Sequence, residues 1–265
     1  MTAAEKRIRG TREWAVADID CCTGCSHGCR YCYARYDGVV KKKRVSASEW
    51  QHPEVRSADV HRSFPLYPGT VMFPANHDIQ PEILADCIRL LHNLLAPGNS
   101  ILIVSKPHLL CIEEICRTFN NSRRQILFRF SITAIDNRIL QFWEPAAPAY
   151  EERLASLRHA YSRGFQTSIS IEPMLESEKI EELVDQLSPF VSHSIWIGKM
   201  NKIKKRVSED TPQMAHELQR IRKEQNDENI AAIYHRLKNN SLIRWKESIK
   251  EVVGLELLRQ PGLDI

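Results

Sequence analysis

TGCSHGCRYCYAR, residues 23–35, is the stretch on which the reading of this chain turns. It holds Cys25, Cys29 and Cys32 in the spacing C-x3-C-x2-C, with Tyr31 just before the last cysteine and Cys21 and Cys22 just upstream. Thiols packed this closely in a chain that reads as intracellular point to a metal site rather than a disulfide framework. The informative number is three. A structural zinc site is closed by four ligands, whereas three cysteines on an iron–sulfur cluster leave one iron open to another ligand. Other readings are a zinc knuckle completed by Cys21 or Cys22 and His27, or an electron-transfer ferredoxin, which needs a fourth cysteine at ligand spacing.

The chain has 265 residues, enough for one sizeable domain or two small ones, with 26% charged and 43% hydrophobic residues. No apolar run approaches the ~20 residues that cross a bilayer, and the start, MTAAEKRIRG, has no apolar signal core, so a cytoplasmic protein is expected. The net charge of +4 permits an anionic partner without demanding one. The remaining cysteines, Cys87, Cys111 and Cys116, sit in apolar-periodic stretches and read as core residues. No cysteine after Cys116 can supply thiolates for a second cluster.

Apolar patterning predicts strands at 14–20, 70–74, 100–105, 126–133, 165–171 and 192–197. Helices are predicted at 81–95, 108–119, 136–143, 150–163 and 178–187, with a short one after Cys32 that Gly38 ends. Residues 46–66 read as irregular. From 202 onward the chain reads as helical and charged. Thr211-Pro212 marks a helix start, and ELQRIRKEQ, IAAIYHRLK and IRWKESIKEVV form helices. Alternating strands and helices imply parallel strands with right-handed crossovers. Six strands are too few for a closed eight-stranded barrel. Cys25, Asn76, Asp78, Lys106, Glu172 and Lys199 all fall just after strands, the face on which parallel barrels build their sites. Two basic runs, KKKR at 41–44 and KIKKR at 202–206, are solvated surface or phosphate contacts.

The cysteine spacing, the aromatic before the third cysteine and the residues around them resemble the radical S-adenosylmethionine (SAM) superfamily. The FSIT strand at 130–133, the E-P-x-A-P turn at 144–148 and the ERL at 152–154 are similar to its spore photoproduct lyase-like branch. The resemblance covers about 19–201. It implies an α/β partial (β/α)6 TIM-like barrel at 1–201, with a helical extension at 202–265 packed on it. It implies a radical SAM enzyme: a [4Fe-4S] cluster on Cys25, Cys29 and Cys32 cleaves SAM reductively to a 5′-deoxyadenosyl radical, which abstracts hydrogen from an unidentified substrate. It further implies a flavodoxin- or ferredoxin-type electron donor in the cytoplasm.

Residue by residue, the resemblance places Tyr31 beside the adenine. Asn76 or Asp78 takes the SAM ammonium, because FPANHD stands where the superfamily often carries G-G-E. Lys106 and Ser131 are candidates for the SAM carboxylate, with the ribose as an alternative for Ser131, and Glu172 for the ribose or the substrate. Arg129 and Arg153 are weaker candidates for anionic groups, and His27 and His77 for tuning the cluster. A nucleic acid or nucleotide is one candidate substrate, beside a small metabolite or a peptide. The rival from another class is a non-enzymatic zinc or iron–sulfur module that binds nucleic acid through its basic runs.

Overall fold

The computed structural model describes residues 7–264, so the first residues of the polar, basic start lie outside the description. Among the described residues, nine short strands form two sheets. They are β1 (Ala17–Asp18), β2 (Cys22–Thr23), β3 (Glu54–Val55), β4 (Val71–Phe73), β5 (Ile101–Ser105), β6 (Ile126–Ser131), β7 (Gln166–Ile171), β8 (Ser194–Ile197) and β9 (Ile243–Trp245). Seven make one parallel sheet in the order β1-β4-β5-β6-β7-β8-β9. β1 and β9 are its edges, so the barrel is partial and open. The fold is therefore the α/β partial TIM-like barrel expected. β2 and β3 pair antiparallel beside it, within a region read from sequence as irregular in part.

The two-residue period of the strands sorts the side chains. Val71, Phe73, Ile101, Ile103, Phe128, Phe130, Ile169, Ile171, Ile195 and Ile197 are buried in the main core. They meet the apolar faces of surrounding helices such as Leu84–Leu95, which buries Cys87, Leu90, Leu91 and Leu94. The opposite positions carry Met72, Leu102 and Leu127, which join Trp14 and Trp196 in a second, inner cluster. Arg129, Ser131, Ser168 and Ser170 share that face by register. The inner face is thus smaller and more polar, which leaves room within the sheet's curve.

Helices form at Leu109–Thr118, Asn137–Trp143, Tyr150–Ser162 and Ile180–Leu187, close to their predicted places. The Thr211 hydroxyl caps Pro212–Glu224 by accepting from the Met214 amide at 3.1 Å, as the Thr-Pro pair implies. A helix at Asp227–Leu237 follows.

Two local expectations are corrected. Gly38 does not end its helix: Tyr33–Arg35 runs on into a π-helical turn at Tyr36–Lys41. Gly38 is needed there for close approach, since a Cβ would lie 2.9 Å from the Trp50 ring. The stretch IRWKESIKEVV is not one helix. Its first residues form β9, which pairs with β8, and the helix begins at Glu247. Ile243 and Trp245 are β-formers, and the otherwise free edge of β8 supplies the hydrogen-bond partner that decides the outcome. No helix among the described residues is long and apolar enough to cross a membrane.

Candidate active site

The cysteine loop leaves β2 and is fixed on two sides. The Cys25 amide donates to the Trp50 carbonyl at 2.8 Å. Gly24 makes this approach possible: its φ is +93°, and a Cβ there would stand 2.6 Å from the Trp50 oxygen. On the other side the loop lies against the turn that follows Asn137–Trp143. Arg30 N–H donates to the Trp143 carbonyl at 2.9 Å, and Ala146 N–H donates to the His27 carbonyl at 3.1 Å. Tyr31 donates its phenol to Glu144. Glu144 also accepts from Thr133 Oγ1 at 3.1 Å and pairs with Arg153 at 2.5 Å, both charges fully buried. The E-P-x-A-P turn and the ERL helix are therefore a clamp on the cysteine loop, and Arg153 serves that clamp rather than an external anion.

A cavity of about 450 Å³ opens beside the loop at the C-terminal ends of the strands. Cys25, Cys29, Cys32 and Tyr31 line it from the loop. Asn76 and Asp78 line it from beyond β4, and Lys106, Ser131 and Glu172 from the ends of β5, β6 and β7. These nine residues, expected from the sequence to hold cluster and SAM, thus share one cavity. Burial pushes the Cys25 thiol up to about 12, with the Asp78 charge adding to it. Burial likewise raises Cys29 and Cys32. Three thiols, two buried and one half-buried, that resist ionisation in isolation are a donor set whose charge a cationic group at the cavity would offset. Cys21 and Cys22 stand apart from it. Cys21 Sγ lies 3.8 Å from both Cys87 Sγ and His77 Nε2, and Cys22 Sγ faces the Thr23 and Gly24 carbonyls at 3.5 and 3.9 Å. The thiols lining the cavity are three, with a cavity in place of a fourth, which fits a cluster that keeps one position open.

Asp78 is the hub between the loop and the sheet. Its Oδ1 accepts from Lys106 N–H at 2.7 Å and from Ser105 Oγ at 2.9 Å. Its Oδ2 meets His27 Nδ1 at 3.0 Å and lies 3.7 Å from Lys106 Nζ. Burial alone would raise its pKa, but the Lys106 charge, then His27 and these hydrogen bonds, hold it far below the carboxylate range. Lys106 is in turn kept charged: burial opposes its ammonium, while the Asp78 carboxylate favours it. His27, buried between two of the cysteines, completes a string through its Nε2, 3.0 Å from His108 Nε2. Cys25, His27 and Asp78 offer three ligand atoms within 4.8 Å of one another, but His27 and Asp78 are already engaged as described. His77 lines the cavity, and Asn76 donates its side-chain amide to Asp20 at 2.5 Å.

Arg129 is not at the cavity. It is fully buried on the sheet's inner face, with its guanidinium 4.5 Å from the Trp14 ring and 5.3 Å from the Trp196 ring, and it donates to Ser168 Oγ at 3.0 Å. The cavity is also lined by Trp14, Lys246 and Glu247, which sequence reading did not single out, and by Arg206 at the end of the second basic run. Lys246 follows β9, lies 4.1 Å from the Trp14 ring centroid, and pairs with Glu13 at 2.5 Å, Glu247 at 3.6 Å and Glu172 at 3.7 Å. A lysine in a charged C-terminal segment carries no local signal of such burial.

Residues 19–187 match the family model described as the Radical SAM superfamily. The chain is 22% identical over 176 residues to "Uncharacterized protein ORF301" of Acidianus two-tailed virus, which covers 62% of this chain and 57% of that protein. The match thus spans little more than half the length of that relative. Among solved structures, a spore photoproduct lyase variant with bound AdoMet and dinucleoside spore photoproduct superposes with a TM-score of 0.55 at 13% identity, covering 92% of this chain and 79% of that one. The lyase complexed with dinucleoside spore photoproduct gives 0.53 at 14% identity, with 92% and 81% covered. At such identity these likenesses are of fold. The family model spans more than half of the chain, beginning just before the cysteine loop and running through the strands that frame the cavity, and this protein belongs to the radical SAM superfamily.

Proposed function

We propose that this chain is a radical SAM enzyme in which Cys25, Cys29 and Cys32 hold a [4Fe-4S] cluster and the adjoining cavity takes SAM. The observation that carries this is the sharing of one cavity by the three thiols with Lys106, Asn76, Ser131 and Glu172. When bound, cluster and SAM together supply one-electron reductive cleavage of the sulfonium and, from it, hydrogen abstraction. The protein's part is to bind, orient and shield.

Lys106 is the partner assigned to the SAM carboxylate, since it is charged and held at the cavity by Asp78. The amide oxygen of Asn76 is assigned to the SAM ammonium. The alternative, Asp78, already accepts from Ser105, the Lys106 amide and His27, which suits it to holding Lys106 and the cysteine loop in register. The Tyr31 ring lines the cavity while its hydroxyl is committed to Glu144, so its contact with the adenine is through the ring and backbone. Ser131 and Glu172 are assigned to the carboxylate or ribose and to the ribose or substrate. Residues 1–201 carry the cofactor half of the cavity, and 202–265 contribute its far wall. Reduction comes from a flavodoxin- or ferredoxin-type donor, consistent with work in the cytoplasm, and a nucleic acid or nucleotide is the substrate class we favour.

The test is anaerobic reconstitution with iron and sulfide, then reductant and SAM, with chromatography for 5′-deoxyadenosine. About four irons per chain, a broad band near ~400 nm and the nucleoside are expected, all lost in Cys29→Ala. The second reading, a zinc-binding module without catalysis, is favoured by the closeness of Cys25, His27 and Asp78. One tightly held, colourless zinc and no nucleoside would establish it instead.

A further inference from the structure

The two basic runs have different fates. In 41–44, Lys41 and Lys42 pair with Asp37 on the surface. In 202–206 all three lysines are exposed and Arg206 is half-buried, but only Lys202 and Arg206 line the cavity. These two lie one helical turn apart: the Lys202 carbonyl accepts from the Arg206 amide at 3.1 Å. Lys202 takes up a left-handed conformation, φ 54° and ψ 37°, at the start of this turn. Arg206 is partly buried, with its guanidinium 5.8 Å from the Tyr33 ring.

Charge accounting along this wall leaves these two cations over. Glu172 is taken by Lys246 at 3.7 Å and Asn201 at 3.4 Å, Glu247 by Lys246 at 3.6 Å, and Glu251 by Arg9. Lys199 pairs with Asp227 at 3.1 Å. Among the described residues no carboxylate comes within 4.0 Å of Lys202 or Arg206. Burial lowers the Arg206 pKa and Glu172 offsets this in part, so an anion arriving at the cavity mouth would further relieve its charge. A guanidinium with a lysine one turn away suits the several acceptor oxygens of a phosphate.

We infer that Lys202 and Arg206 form an anion subsite at the mouth of the cavity that takes a phosphate group of the substrate, whether phosphomonoester or phosphodiester. The inference rests on the reading of this cavity as the active site.

The experiment uses reconstituted full-length enzyme and calorimetric binding of three probes: inorganic phosphate, a 5′-mononucleotide and a short single-stranded oligodeoxynucleotide. Lys202→Ala and Arg206→Ala are each expected to weaken the binding probe by about tenfold. Lys204→Ala and Lys205→Ala should leave it unchanged, as should every variant the iron content and SAM affinity. Binding of the mononucleotide identifies a phosphomonoester source, and binding of the oligonucleotide alone a phosphodiester. The inference is overturned if no probe binds loaded wild-type enzyme. It is overturned if Lys204→Ala costs as much as Arg206→Ala, which would mean diffuse surface attraction. A parallel loss of SAM affinity in Arg206→Ala would assign that residue to the cofactor instead. Failure of wild-type protein to load iron or bind SAM strikes the functional reading separately, because phosphate binding is measured independently of both.

Discussion

The Tyr31 phenol donates to the Glu144 carboxylate, which joins the cysteine loop to a turn more than a hundred residues further along the chain. Glu144 is held in turn by Arg153, and neither charge touches solvent. The pair is costly to form and costlier to break from one side, because the survivor stays buried and uncompensated. Glu144→Ala is therefore expected to destabilise the fold by about 3–5 kcal/mol. Tyr31→Phe removes one hydrogen bond to a charged group and should cost about 2 kcal/mol. Denaturant melts of the apo-protein check both. Equal, small effects would show that the clamp does not carry the loop.

Gly24 holds the loop from the other side. Alanine there meets both a left-handed backbone, φ +93°, and the Trp50 carbonyl 2.6 Å from its Cβ. Gly24→Ala should cost more than about 2 kcal/mol and, by shifting Cys25, reduce the iron taken up on reconstitution. Wild-type melting and iron content in this variant would refute the constraint.

Lys106 is assigned to SAM rather than to the cluster. Lys106→Met should weaken SAM by about tenfold or more while iron content stays at the wild-type level. Equilibrium dialysis with labelled SAM against iron analysis separates the two. A loss of iron with unchanged SAM affinity per cluster would place Lys106 with the thiolates.

Glu13 and Lys246 set a pH dependence. Burial, countered by Lys246 and reinforced by Glu247, raises Glu13 from 4.5 to about 8. A carboxyl whose folded pKa is raised favours folding fully below its unfolded pKa, and that contribution is lost as pH rises through about 8. Glu13→Gln should thus flatten the fall in melting temperature between about pH 5 and pH 8. Lys246→Met leaves Glu13, Glu172 and Glu247 without their shared cation, and should cost about 3–5 kcal/mol, more at pH 8 than at pH 5. A loss independent of pH would show that only packing against Trp14 was removed.

Much of the site could be read before folding because its residues follow strands. Asp78, Lys106 and Glu172 each come just after an apolar stretch whose period is visible locally, and a parallel barrel gathers such positions at one end. Glu144 was visible as a motif but not as a clamp, since a buried glutamate and an exposed one look alike in sequence. Lys246 had no local signal at all, and Arg206 was visible only as the end of a basic run. The place of Lys246 follows from β9 pairing with β8, a long-range hydrogen-bonding choice that overrode the helical pattern of the C-terminal segment.

Spacing and periodicity, which are properties of neighbouring residues, made the three-cysteine loop, the parallel α/β architecture and the strand ends that line the cavity legible from the sequence. Only the tertiary structure decided which charges were already spent. Asp78 is bound to Ser105, Lys106 and His27, and Lys246 to three glutamates, while Lys202 and Arg206 pair with no carboxylate among the described residues. Pairing depends on distance and burial between residues far apart in the chain, and those exist only once the barrel has brought its walls together.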